Sequence, residues 1–177
     1  KTEVTSELIK QEKPDALVIA TGAAHSKIDI EGADSSKLLE TEKLHNMLKF
    51  FLRFFSSAQL QKLSKLWMPV GKSVVVMGGM LQGCELAEFL IKRRRRVAIA
   101  HDGPEGELGD RMTIDDLDNL WPWFKQNHVP IWSRVKYQKI VKEGLQIQLK
   151  DHRVYILRGR HVATTQDWFP NDKSIEA

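Results

Sequence analysis

The sequence predicts an α/β fold, with a parallel sheet in its middle and an antiparallel meander after it. Three observations carry this. A valine-rich run over residues 73–77 ends in a glycine turn, passes into a helical pattern and closes on a second apolar run, Val97-Ala98-Ile99-Ala100. Two other short apolar runs, Ala16-Leu17-Val18-Ile19-Ala20 and Val129-Pro130-Ile131-Trp132, show no alternation, as strands buried on both faces do. After residue 135 the rhythm changes to period two, the mark of a half-buried antiparallel strand.

Taken in order, residues 3–13 carry a helical pattern with Val4, Leu8 and Ile9 apolar, ended by Lys13-Pro14-Asp15. The first buried strand follows and closes at Thr21-Gly22. A small polar residue and a glycine there let a backbone come close to a ligand, or simply make a strand-end turn. Residues 24–37 read as loop. Residues 38–67 read as two helices. Leu44, Met47, Leu48, Phe51, Leu52 and Phe55 lie at helical spacing in the first, and Ser56 with Gln59 offers a capping box for the second. Lysines and arginines lie among these apolar positions. Such a stripe docks on its own protein or a partner domain more often than on a membrane surface.

The central stretch is the most informative. In a strand–turn–helix unit with spacing G-x-G-x-x-G, the first glycine lets the chain reverse and the second admits a pyrophosphate. The third lets the helix pack close to the strand, so that its N-terminal amides face the phosphates. Gly78 and Gly83 occupy the first and third positions. Met80 occupies the second, with Gly79 beside it, so the pattern specifies the Rossmann-like fold more firmly than the ligand. Candidate phosphate-cradling positions are Gly78, Gly79, Leu81, Gln82 and Gly83. At the end of the second strand His101 stands where an acidic residue often holds the ribose hydroxyls, with Asp102 next to it. A histidine with nearby arginines also suits a 2′-phosphate. Glu85 is a candidate cofactor contact, whereas Glu88 reads as solvated helix surface.

Beyond this unit, Thr113 to Asp116 resembles a helix start, and Pro122 should kink that helix or divide it. The third parallel strand falls at 129–132. Leu145, Ile147 and Leu149 alternate, Asp151-His152 turns the chain, and Val154-Tyr155-Ile156-Leu157 returns. A last short strand covers His161 to Thr165.

A length of 177 residues suits one medium domain, or one domain with pieces of another, and 42% hydrophobic residues suffice for a core. The net charge of +4 is mild, and much of it comes from Arg93-Arg94-Arg95-Arg96. That run reads as a solvated helix end, since cations there complement the helix dipole. No nucleic-acid module accompanies it, so no nucleic-acid partner is expected. The single cysteine, Cys84, excludes an internal disulfide and any cysteine-pair redox centre, and reads as a core residue. The six histidines show no metal-ligand spacing, and no catalytic nucleophile or metal site is expected. No signal peptide or bilayer-length apolar run is visible, which fits a cytoplasmic setting without a membrane role. The chain begins at Lys1 in structured-looking sequence, as a fragment of a longer protein would.

The chain resembles the C-terminal flavoprotein region of the family that includes 2,4-dienoyl-CoA reductase and trimethylamine dehydrogenase. The matching stretches run through nearly the whole chain. They are Lys13 to Ala23, the glycine turn with Leu81 to Leu90, Glu107-Leu108-Gly109 with Met112, and Pro170-Asn171. The resemblance implies flanking pieces of a second dinucleotide-binding domain. Residues 1–36 would return from an FAD-type domain, 37–67 would connect, 68–165 would be the inserted NAD(P)-binding domain, and 166–177 would re-enter the first. It implies NAD(P) as the nucleotide bound here, with Thr21 and Gly22 on the flavin side. FAD, FMN and an iron–sulfur cluster would belong to the full parent, whose flavin domain and barrel would be this segment's partners. Three positions depart from the family pattern. Met80 replaces the central glycine. Arg94 stands where the helix usually ends in glycine, so the helix is expected to finish differently. Gln166-Asp167-Trp168 interrupts a stretch that usually contains glycine.

Two functions follow from this reading. One is a nucleotide-binding domain that orients NAD(P)H toward a flavin, not catalytically complete alone. The other is a degenerate Rossmann-like scaffold that serves interaction and no longer binds nucleotide.

Overall fold

The computed structural model describes residues 4–18, 20, 22–25, 28–40, 49, 50, 56, 59, 62, 64, 68, 70–165 and 168–170. The strands are β1 (Ala23–His25), β2 (Leu38–Glu40), β3 (Ser73–Met77), β4 (Arg96–Ala100), β5 (Ile131–Trp132), β6 (Lys136–Val141), β7 (Gly144–Gln148), β8 (Val154–Arg158), β9 (His161–Thr164) and β10 (Trp168–Pro170). The helices used below are α1 (Ser6–Glu12), α2 (Leu81–Ile91) and α3 (Ile114–Gln126). The chain forms two compact units, one from residues 1–27 with 167–177 and one from residues 28–166. The sequence reading ends its first segment at residue 36 and begins its last at 166.

In the first unit, Thr5 caps α1 by accepting the Leu8 amide at 3.3 Å, and Lys13 closes the helix in the left-handed region at φ 44°. β1 pairs antiparallel with β10. The strand expected from Ala16 to Ala20 is not formed at its described positions. Leu17 and Val18 are exposed, Val18 at 87%. A parallel strand needs ladder partners to satisfy its backbone. The only strand pair described in this unit is β1 with β10, and the described residues of the apolar run lie in no strand. Thr21 lies outside the described residues, as do most positions of the two helices expected over 38–67.

The second unit holds a five-stranded parallel sheet in the order β2-β9-β3-β4-β5 and an antiparallel sheet β6-β7-β8. Side chains alternate along β3. Val74 and Val76 face a core of Cys84, Ala87 and Leu90 from α2 with Leu120 and Phe124 from α3. Val75 and Met77 face Val135, Ile140, Leu145, Ile147 and Leu157 of the meander. The central sheet is therefore covered by helices on one side and by the small sheet on the other, which is why β3 is apolar at every position after Ser73.

Several local expectations are met and several are corrected. The capping box is present: the Ser56 amide donates to Gln59 Oε1 at 2.9 Å and the Gln59 amide to Ser56 Oγ at 3.3 Å. Leu38–Glu40, expected to open a helix, is instead the edge strand beside β9. Leu38 packs into the meander core and Leu39 into the helix core, so both faces are used. α2 ends in the left-handed region after all, with Arg94 at φ 60°. The Arg94 amide donates to the Ile91 carbonyl at 2.8 Å and the Arg95 amide to Leu90 at 3.1 Å, which satisfies the last carbonyls of the helix. Pro122 neither ends nor divides α3. The carbonyl that loses its donor to the proline belongs to Asp118, an exposed residue open to water.

Candidate functional site

The site is assembled where β3, β4 and β9 end. β3 stops at Gly78, whose φ of 99° only glycine adopts freely. Its amide donates to the Ala100 carbonyl at 2.9 Å and to Tyr137 Oη at 3.2 Å. The Gly79 amide donates to His101 Nδ1 at 3.3 Å. The Gly79 carbonyl accepts the Gly109 amide at 2.7 Å and the Cys84 thiol at 3.2 Å. Gly83 lies against Gly78, and a β-carbon on it would overlap the Gly78 carbonyl oxygen. This is the close strand–helix packing that the third glycine of the motif predicts.

Met80 caps α2 with extended backbone, φ −76° and ψ −170°, and its side chain makes no capping bond. The backbone at this position therefore places no demand for glycine. What methionine adds is a half-buried side chain. The first turn of α2 carries no acidic residue, so nothing in that turn offsets the positive end of the helix dipole. The Leu81 amide is taken by the Asp110 carbonyl at 3.2 Å. Among the described residues no protein acceptor takes the amides of Gln82 and Gly83. Two donors at a helix start, without acceptors and with the dipole behind them, form an anion-binding arrangement.

The strap of residues 103–112 folds over this turn. It places Leu108 against Gly79, where a β-carbon would come within 2.5 Å of Leu108 Cδ2. His101, beneath the strap, is 3% exposed, whereas Asp102 is open to solvent, its side chain 66% exposed. Asp102 Oδ1 lies 3.7 Å from His101 Nδ1 and 3.5 Å from Tyr137 Oη. On the far side, Thr165 donates through Oγ1 to the Met77 carbonyl at 3.0 Å and fills the space beside Gly78.

The structure thus brings Gly78, Gly79, Leu81, Gln82, Gly83, His101 and Asp102 together. Glu85 is exposed on α2, and Glu88 pairs with Lys92 at 2.6 Å as a helix-surface residue. Gly22 belongs to the other unit, at φ 76° with open space around it. Sequence reasoning missed Tyr137. It comes from β6, where the β6–β7 register shifts between Tyr137 and Lys139, and such a bulge re-aims a side chain. Its hydroxyl donates to the Ala100 carbonyl at 2.9 Å. Burial first, and the Asp102 carboxylate second, hold the phenol well above its ordinary range. Cys84 is buried as expected, and burial pushes its thiol up to about 11. Among the described residues no His, Cys, Asp and Glu group could hold a metal ion. Nor is any helix among them long and apolar enough to cross a membrane.

The family model for pyridine nucleotide-disulphide oxidoreductases matches residues 2–166. The chain belongs to that family. The pyridine nucleotide-disulphide oxidoreductases bind FAD and NAD(P), and the match covers both the glycine turn and the meander. Among solved structures, 2-naphthoyl-CoA reductase in complex with 2-naphthoyl-CoA is similar at a TM-score of 0.70 and 21% identity, over 99% of this chain and 24% of that one. The ferredoxin reductase for the CYP199A2 system of Rhodopseudomonas palustris is similar at 0.62 and 19%, over 89% and 35%. The thioredoxin reductase of T. acidophilum is similar at 0.59 and 14%, over 86% and 44%. At these identities the likeness is one of fold, and the chain spans less than half the length of each. No curated protein sequence matches.

Proposed function

We propose that this chain is the pyridine-nucleotide-binding portion of a flavin-dependent oxidoreductase, and that it orients NAD(P)H toward a flavin held elsewhere in the parent protein. The observation that carries this is the pair of amides, Gln82 and Gly83, which find no acceptor among the described residues, at the start of a helix whose first turn holds no acid. They bind the pyrophosphate. Gly78, Gly79 and Leu81 shape the turn around it, their own amides being held within the protein. His101 or Asp102 meets the ribose, and Glu85 lies along the helix toward the nicotinamide. Thr21 and Gly22 belong to the flavin side. When bound, a nicotinamide nucleotide supplies hydride to a flavin, and that chemistry belongs to the cofactors. The parent is of the dienoyl-CoA reductase type, with its FMN barrel and iron–sulfur cluster outside this segment, and is cytoplasmic. The matched motifs and the fold likeness to 2-naphthoyl-CoA reductase over 99% of the chain support that placement.

A second reading has its own observation. The Gly79 amide is spent on His101 and the Leu81 amide on Asp110, and Met80 adds a side chain beside them. On this reading the shell is kept as a scaffold and nucleotide binding is lost.

Calorimetric titration with NADH, NADPH and ADP decides between them. Micromolar binding of a nicotinamide nucleotide supports the first reading. No heat from folded protein supports the scaffold, and binding restored by Met80→Gly would identify that side chain as the obstacle.

A further inference from the structure

The small sheet has an open edge. β8 pairs antiparallel with β7 and with no other strand among the described residues. The phase of that ladder fixes which backbone groups point outward. The Leu149 amide donates to the Arg153 carbonyl at 2.9 Å, and the Gly159 amide to the Glu143 carbonyl at 2.9 Å. Opposite residues in such a ladder alternate between bonded and non-bonded pairs. Arg153, Tyr155, Leu157 and Gly159 therefore turn their amides and carbonyls to β7, and Val154, Ile156 and Arg158 turn theirs away from it.

The residues at those three positions are exposed as well, Val154 at 50% and Ile156 at 44%. An edge that offers free main-chain groups beside apolar side chains is a template for another strand. Its two ends carry opposite charge. Asp151, just before β8, is held by Arg153 at 2.7 Å and keeps half of its side chain exposed. Arg158 and Arg160, at the other end, are exposed and make no ion pair among the described residues. An antiparallel copy of the same strand reverses this order, so the acidic end of one meets the basic end of the other.

We propose that this edge pairs with β8 of a second copy of the chain, antiparallel and about a two-fold axis at Ile156. In that register Val154 stands opposite Arg158 of the second copy and Ile156 opposite Ile156. Every outward amide and carbonyl of the three positions then finds a partner. Position 152 falls opposite 160, which brings Asp151 beside Arg160 of the second copy. The two Arg158 side chains lie four residues apart along the strands, about 13 Å, which exceeds the screening length of about 8 Å at physiological salt. The two three-stranded sheets become one of six strands. β8 ends near the start of β3, since the Arg160 amide donates to the Ser73 carbonyl at 2.9 Å. The glycine turn lies at the other end of β3, and the pairing holds whether or not the chain binds nucleotide.

Sedimentation velocity of the 177-residue chain over a range of concentrations tests this. It is run beside Ile156→Lys, Ile156→Pro and, as a control, Ile114→Lys, with circular dichroism confirming each fold. The unchanged chain moves from monomer toward dimer as concentration rises, and the amides of Val154, Ile156 and Arg158 gain protection from hydrogen exchange with it. Ile156→Lys, which sets two ammonium groups together at the axis, weakens the dimer by at least about tenfold. Ile156→Pro removes an amide that β7 does not use and weakens the dimer in the same sense. Ile114→Lys, at an apolar side chain 76% exposed on α3, leaves the dimer as it was. A chain that stays monomeric overturns the proposal. So does a dimer that Ile156→Lys leaves intact, or one that Ile114→Lys weakens as much.

Discussion

The α-carbon of Gly83 sits against the carbonyl oxygen of Gly78, and no β-carbon fits between them. This contact holds the first turn of α2 onto the end of β3, and it sets where the Gln82 and Gly83 amides stand. Gly83→Ala must push the helix away from the strand. The expected cost is about 1–3 kcal/mol, as for other overpacked interior sites. A urea midpoint lowered accordingly checks it, and an unchanged midpoint would mean that the turn yields without loss.

Arg94→Gly should act in the opposite direction. The arginine holds φ 60° at the end of α2, a region that costs a residue with a β-carbon about 1 kcal/mol or more. Glycine keeps the bonds to Ile91 and Leu90 and removes that strain, so the variant should gain roughly 0.5–1 kcal/mol after its greater freedom in the unfolded chain is counted. Equilibrium unfolding reads this directly, and a destabilised variant would show that the arginine side chain contributes more than its backbone costs.

Tyr137→Phe removes the hydroxyl that accepts from Gly78 and donates to Ala100. The Gly78 amide keeps the Ala100 carbonyl at 2.9 Å, so the loss is partial. A destabilisation of about 1 kcal/mol is expected. A loss of nucleotide affinity beyond what the stability change explains would place the hydroxyl at the ligand as well.

Cys84 gives a pH prediction. Burial raises its pKa from 9.0 to about 11, so the folded protein keeps the thiol proton more tightly than the unfolded chain does. The folded state's advantage is complete below about pH 9 and is lost as pH rises through about 11, for a total of about 2–3 kcal/mol. Tyr137, also raised, acts in the same sense at alkaline pH. Thiol labelling at pH 8 should follow unfolding, being slow in buffer and fast in urea. Rapid labelling of the folded chain would show that the thiol is open.

Where sequence and structure agree, a single residue type had a single physical use. Gly78 and Gly83 were legible because only glycine satisfies their backbone or spacing, and the meander was legible because one of its faces alternates. Where they part, the deciding partner is far away in sequence. Leu38 and Leu39 look helical in isolation and become a strand because β9 lies beside them. Pro122 is tolerated where the residue whose carbonyl it strands, Asp118, is exposed. Tyr137 carries no local mark of its role, since a bulge in β6 and the end of β4 meet only in the folded chain.

The pairing of β1 with β10 joins residues 23–25 to residues 168–170, across the whole of the second unit. This sets an order of events during synthesis. Residues 28–166 form one continuous stretch with its core complete within itself, so it is free to fold as it is made. The β1–β10 pair must wait for residues 168–170. Folding of the middle then shortens the effective loop that β1 and β10 have to close, and lowers the entropy lost in bringing them together. Within residues 23–170, the middle is built before the pair of strands that brackets it.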